Sequence, residues 1–331
     1  MRFLYILCDH QVYLFMKNPF FNHQENRLRA LFRVLLFIFL FIFAMGVPSL
    51  ISVPALDYLA RSILIFGLFY VMFRFSDQRS WRFAGLSVDG TWMKECATGI
   101  GIAGGIMGLI FLTQWQTGTL EVTGYGWDRS SDNGWILPFL LFLFQMMCVG
   151  FYEELMARGY LIPNITEGFS IGSINPQKAA IVAILISSSI FGLLHAGNPN
   201  SSTTAVINIV LAGIMLAVPY VLTGRLAFSI GIHFSWNFFQ GGVFGFPVSG
   251  LEFRNSVIQI QQDGQDWWTG GSFGPEAGLI GILGILLIMV FTLLYIKKTT
   301  GKLEYAELFS KRFIELNPSN KPIKDSESSS E

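Results

Sequence analysis

Charge is what this sequence has least of. Only 13% of its 331 residues are Asp, Glu, Lys or Arg, against about a quarter in soluble domains. The 22 basic and 22 acidic residues cancel, and no basic block marks a nucleic-acid surface. Cysteine is scarce as well. Cys8, Cys96 and Cys148 form an odd, scattered set, which excludes a disulfide framework and a zinc-ribbon spacing. The first sixteen residues lack an unbroken apolar core, because Asp9, His10 and Gln11 interrupt it. Leu7 is too bulky for lipoprotein-type cleavage before Cys8, so neither kind of signal segment is read here. Residues 1–31 are expected to form a cytoplasmic or interfacial arm.

What fills the chain instead is apolar: 52% hydrophobic and 15% aromatic residues. About 20 consecutive apolar residues span a bilayer. Eight segments meet or approach that length: Phe32–Ile51, Leu56–Phe75, Cys96–Trp115, Ile136–Tyr160, Ala179–His195, Thr204–Leu222, Leu226–Phe246 and Ala277–Ile296. The expected fold is all-α, a polytopic membrane protein with about eight transmembrane helices over residues 32–300. In the third segment, Gly101/Gly105 and Gly104/Gly108 have the spacing that lets helices approach closely. Leu303–Leu316 reads as an amphipathic stretch along the membrane surface. Residues 301–331 form a cytoplasmic tail whose Ser-, Lys- and Glu-rich end, from Asn317, is expected to be disordered.

The few charges are sorted by side. Arg27, Arg29, Arg33, Arg74, Arg79, Arg82, Lys94, Arg158, Lys178, Arg225, Lys297, Lys298 and Lys302 fall on one side of an eight-span arrangement. Glu121, Asp128, Asp132, Glu252, Asp263 and Asp266 fall on the other, together with the aromatic pair Trp267 and Trp268. Cytoplasmic loops are the ones enriched in Lys and Arg. Both termini are therefore expected in the cytoplasm, of the plasma membrane if the host is prokaryotic. The 247–276 loop lies outside and is expected to be partly ordered.

Against this background the stretch Phe151–Tyr160 stands out. Glu153 and Glu154 follow an almost unbroken apolar run, and Arg158 lies one turn further. A charge near the bilayer centre costs at least ~2.5–3.5 kcal/mol, so ionisable residues there mark function by default. Of only four histidines, His10, His23, His195 and His233, the last two sit inside apolar runs. Pairs four residues apart share a helix face: Glu154 with Arg158, Phe191 with His195, and His233 with Asn237. The first pair can neutralise itself and leave Glu153 free. Glu, His and Asn are the residue types that activate a water and stabilise an oxyanion. Depth fits less well. Glu153 and His233 lie roughly 8–12 Å from the cytoplasmic helix ends, whereas His195 lies roughly 25 Å from Lys178. The fifth helix must start later, tilt, or be reached through a deep cavity.

Taken in order, Glu153-Glu154-x-x-x-Arg158, Phe191-x-x-x-His195 and His233-x-x-x-Asn237 resemble the CPBP family of intramembrane proteases. That family includes CAAX prenyl endopeptidases and Abi or bacteriocin-related proteins. The Asn198-Pro199 turn after the first histidine is common there too, and the resemblance spans about residues 135–246. It implies an endopeptidase acting on membrane-associated peptide or protein substrates, prenylated CAAX-type or bacteriocin-type. It also implies roles: Glu153 as general base with His195 as its partner, His233 and Asn237 as the oxyanion site, Glu154 and Arg158 as structural support, and Phe191 as a wall. The family is often labelled metalloprotease. Zinc on Glu153, His195 and His233 therefore stays open beside a metal-free water, although the chain has no H-E-x-x-H.

Blander readings compete. Each histidine alone would suit a helix-packing hydrogen bond, and Ser187–Ser189 suit close helix contacts better than a nucleophile. Gly168-Phe-Ser170-Ile-Gly172 fits the nucleophile-elbow pattern, but that motif needs an α/β sheet. A scaffold or immunity protein of the same fold is the first rival. An ion-coupled transporter is the second, weakened by the absence of two related halves. The charge asymmetry makes a direct prediction. Single cysteines introduced between Gly159 and Gln177 should react with a membrane-impermeant thiol reagent only from the cytoplasm, and those in the 247–276 loop only from outside. The reverse labelling pattern would sink the eight-span topology.

Overall fold

The computed structural model describes residues 18–22, 25–50, 53–79, 81–128, 134–170, 173–253, 255–312 and 316. The expected N-terminal arm over residues 1–17 and the disordered end over residues 317–331 lie outside the described residues. Two short strands, β1 (Phe21–Asn22) and β2 (Arg27–Leu28), precede the helices. All eight apolar segments are helical. They form α1 (Ala30–Gly46), α2 (Pro54–Val71), α3 (Gly90–Gln116), α4 (Ile136–Glu154), α5 (Pro176–Leu194), α6 (Thr203–Thr223), α7 (Ala227–Asn237) and α8 (Leu279–Thr300).

Six helical stretches among the described residues are long and apolar enough to cross a membrane, and the chain is an integral membrane protein. The remaining two, α1 and α7, have 17 and 11 residues. Of the about eight expected transmembrane helices, six have full spanning length among the described residues and two are shorter. The shortness of α7 follows from its place, since nine of its residues are buried between α3, α4 and α6. A helix enclosed by protein need not match the thickness of lipid.

Glycines set the α3–α7 contact, but not the ones the spacing suggests. Nothing lies within 4 Å of where a Cβ on Gly101 or Gly105 would stand. A Cβ on Gly104 would press on the Phe239 ring, while one on Gly108 would meet Phe244 at 3.6 Å. The backbone-to-backbone approach is made by Gly99 and Gly231. A Cβ on Gly99 would lie 3.0 Å from the Phe228 carbonyl, and one on Gly231 would overlap the Cys96 carbonyl.

The fourth segment does not stop at Tyr160. After Glu154 the helix widens into a π turn, Leu155–Leu161, and resumes over Ile162–Phe169. Pro163 sits in the first turn after the widening, where a missing N–H is tolerated. This removes the mismatch in depth between Glu153 and His195. Glu153 stands 16 residues before Phe169 and His195 19 residues after Pro176, so both lie about 24–28 Å from the far ends of their helices.

The extension ends in an ion cluster. Glu167 accepts from Arg33 Nη2 at 2.7 Å and pairs with Arg27 Nη2 at 3.0 Å and with Arg79. Arg33 also lies 3.5 Å from Asp77. These arginines were read as flanking loop charges, yet all three are buried. They anchor the start of α1 and the end of α2 to the α4 extension, while Phe37 stacks on Tyr160 at 3.8 Å.

On the opposite side two loops pair. Strands β3 (Leu120–Tyr125) and β4 (Ile258–Gln262) form an antiparallel ribbon with a bulge between Val122 and Gly124. The described residues of the 247–276 loop, which leave out Arg254, are ordered around it. The fold is mostly helical, with two small sheets added to the all-α expectation. The 303–316 stretch also differs from expectation. Its described part has one helical turn, Glu307–Ser310. Phe309 is fully buried, edge-on to Tyr220 at 5.3 Å, so this stretch docks on protein.

The glycine contacts generate a contrast that melting in detergent can read. Gly231→Val should lower stability by about 1–3 kcal/mol, the usual cost of overpacking. Gly101→Ala, facing open space, should leave the melting temperature unchanged or raise it slightly. Equal effects would refute the Gly99–Gly231 crossing as the tight one.

Candidate active site

The site is built where α4 widens. In a regular helix, neighbouring residues point about 100° apart, so Glu153 and Glu154 face different surroundings. The Glu154 side chain is wholly buried, whereas Glu153 keeps 18% exposure. Glu154 Oε1 accepts from Arg158 Nη1 at 2.7 Å and from His233 Nδ1 at 2.8 Å. Arg158 Nη2 donates to the Gly213 carbonyl of α6 at 2.9 Å. Its guanidinium also lies 4.5 Å from the centre of the Phe191 ring, a cation–π contact. One acid–base pair therefore ties α4 to α5, α6 and α7.

Each histidine has one nitrogen fixed. A carbonyl can only accept, so the 2.8 Å contact between His195 Nδ1 and the Phe191 carbonyl places a proton on Nδ1 and leaves Nε2 free. His233 uses Nδ1 on Glu154 in the same way. Its Nε2 comes within 3.7 Å of Glu153 Oε2, too long for a hydrogen bond and short enough for one water to touch both. Phe191 packs against both imidazoles, 4.9 Å from His195 and perpendicular to His233 at 5.8 Å. Phe191 and both histidines line one cavity. The pairing differs, because the imidazole nearest Glu153 is His233. Asn237 lies four residues beyond His233 on α7, just before another π turn, Phe238–Val243. Such turns recur at functional sites.

His195, His233 and Asn237 line one cavity with about 50 Å³ of space open to water, room for a few molecules. Glu153 Oε2, Glu154 Oε2 and Arg158 Nε are buried without a hydrogen-bond partner, and buried polar atoms seldom remain so.

The zinc alternative finds no ligand set. Among the described residues no group of three or more His, Cys, Asp or Glu side chains is arranged to hold a metal ion. Glu153, His195 and His233 therefore do not form a coordination sphere, and no step below is routed through a metal.

One wall of the cavity escaped the sequence reading. Glu276, in the turn before α8, lines it and is buried. Its Oε2 accepts from Gln240 Nε2 at 2.9 Å and from the Ser249 N–H at 3.0 Å, and its Oε1 from Ser249 Oγ at 3.2 Å. Burial pushes this carboxyl above the usual range, against those hydrogen bonds. The available signal was an acid just before an apolar run, read only as the boundary of a loop.

Residues 135–239 match the family model Rce1-like, described as type II CAAX prenyl endopeptidase Rce1-like. This stretch is similar to that domain. It contains Glu153, Glu154, Arg158, Phe191, His195, His233 and Asn237. Neither a curated protein nor a solved structure matches the chain. Glu276, Ser249 and Gln240 lie beyond the last residue of the Rce1-like stretch, so the rest of the chain completes the cavity.

The geometry of Arg158 generates the next expectation. Arg158→Ala strands Glu154 in a dry interior, and breaking a buried pair costs about 3–5 kcal/mol. Folded protein in the membrane should drop along with its melting temperature. Arg158→Lys keeps the charge but loses the planar fork that reaches Glu154 and Gly213 together, so it should fall between. Normal accumulation of Arg158→Ala would refute the tie.

Proposed function

We propose that the protein is an intramembrane endopeptidase that cleaves peptide bonds of membrane-associated substrates, prenylated CAAX-type proteins being the class its Rce1-like stretch favours. The observation that carries this is the pairing of a half-open carboxylate, Glu153, with the free Nε2 of a histidine whose other nitrogen is held by a buried carboxylate. A water about 2.8 Å from both Glu153 Oε2 and His233 Nε2 is placed for attack. Glu153 takes its proton as the oxygen adds to the scissile carbonyl. His233 Nε2 accepts the water's second hydrogen, and Asn237, on the same face of α7, donates its side-chain N–H to the oxygen on which charge develops. The C–N bond then breaks, and the proton passes to the departing nitrogen with His195 Nε2 as the shuttle. Water is restricted to a small cavity, which strengthens each of these charge interactions. The cation-rich side of the helices is the cytoplasmic one in this reading, with both termini there.

The test compares membranes from cells producing wild type and Glu153→Gln by quantitative proteomics. Glu153→Gln keeps the shape and removes the proton acceptor, so turnover should fall by about 10²–10⁴-fold or more with normal folding. Asn237→Ala removes one oxyanion donor and should leave activity about 10²–10³-fold down. Identical cleavage products from wild type and Glu153→Gln would falsify the enzyme reading and leave a scaffold or immunity protein in its place.

A further inference from the structure

Asn208 lies on α6, outside the three motifs. It shares a helix face with Ala212, Met215 and Leu216, spaced at four, seven and eight residues, and all four line the cavity that holds His195, His233 and Asn237. The residue is 3% exposed, and its Nδ2 is buried without a hydrogen-bond partner. An unmet buried donor costs about 1–3 kcal/mol, so such groups persist where something other than stability keeps them. The cavity side chains beside it on α6, Ile209, Ala212 and Met215, have no oxygen to offer. Arg158 contrasts with it, since two of its three nitrogens are satisfied by Glu154 and Gly213. Asn208 has been left with an open donor one helical turn from that brace, on the face that looks into the site.

We infer that Asn208 is a substrate-binding residue whose side-chain N–H donates to a backbone carbonyl of the bound peptide, next to an apolar subsite for an aliphatic side chain. This rests on the peptidase reading above. An amide hydrogen seeks an acceptor, and a peptide presents one at every residue, whereas the hydrocarbon of a lipid or prenyl chain has none. Met215, Leu216, Trp236 and Ile285 line the same cavity and take the side chain of the residue whose carbonyl Asn208 holds. The contact forms on binding and persists through the reaction, because this carbonyl is not the one attacked. Its loss therefore weakens binding more than turnover.

The experiment uses the full-length protein in lipid nanodiscs with a quenched-fluorescent farnesylated peptide ending in Cys-aliphatic-aliphatic-Met. Wild type, Glu153→Gln, Asn208→Leu and Asn208→Ala are compared for kcat, KM and melting temperature. Leucine matches asparagine in size and removes the unmet donor, so Asn208→Leu should melt at or above the wild-type temperature. Its kcat/KM should fall about tenfold to a hundredfold, carried mainly by KM, and Asn208→Ala should lose as much. Wild-type kcat/KM in Asn208→Leu, with Glu153→Gln inactive, overturns the inference and leaves the peptidase reading intact. A clearly lower melting temperature for Asn208→Leu also overturns it, since the amide would then be holding the fold. If wild type cleaves the peptide no faster than Glu153→Gln does, the peptidase reading falls and this inference falls with it.

Discussion

The whole site depends on one carboxylate that does no chemistry in the proposed reaction. Glu154 is fully buried and receives both Arg158 and His233 on a single oxygen. Such a group is tolerated in a dry interior only because it is paired and hydrogen-bonded. Its partners come from different parts of the chain: Arg158 from the same helix, His233 from α7 almost eighty residues later. Arg158 then reaches the backbone of α6 and the ring of Phe191 on α5. Remove Glu154 and the tautomer of His233, the position of Arg158 and the wall at Phe191 lose their common reference together.

The same carboxylate explains why two adjacent glutamates have separate fates. They share a sequence environment and differ by one step of helix rotation. That step turns Glu154 into the protein, where the charges of Glu154 and Arg158 cancel. Glu153 is turned to a partly open position, with one oxygen unpartnered and an imidazole 3.7 Å away. A base must be reachable by its proton donor before its basicity matters. Glu153 alone of the two meets that requirement. The π turn that begins at Leu155 lets the helix swing Arg158 onto Glu154 and Gly213 at once and still continue to Phe169.

Much of this was legible in the residues. Eight apolar runs are eight helices, because backbone groups in lipid must be satisfied within each helix. The three spaced pairs that stood out by charge are the ones gathered at the site, since a bilayer makes each polar residue expensive and so informative. Other features were not legible, for physical reasons. A π turn leaves no mark in hydrophobic periodicity, so the fourth helix was ended nine residues early. Pairing between β3 and β4 is long-range, and its local trace, the alternation in Ile258-Gln-Ile260-Gln-Gln, is short. Arg27, Arg33 and Arg79 look like solvated flank charges until Glu167, brought by the helix extension, supplies their partner. Glycine spacing named a crossing in α3, yet the partner backbone selects which glycines meet. That backbone is α7, and it selects Gly99.

The cavity shows a similar division between what a motif carries and what the remaining chain adds. His195, His233 and Asn237 come from the Rce1-like stretch, whereas the opposing wall is closed by Glu276 and Ser249 from segments beyond it. Glu276 is held by three hydrogen bonds that run to Gln240 and to Ser249, so the 247–276 loop and the π turn after α7 are fastened to the start of α8. A helix of 11 residues cannot fix its own depth in a bilayer. It is positioned by protein on every side: Cys96 against Gly231, Phe234 against Gly150, and Glu276 below Gln240. That enclosure keeps His233 and Asn237 still while water reaches them through a cavity of only a few molecules. The charged chemistry can therefore occur inside a membrane without exposing the charges to lipid.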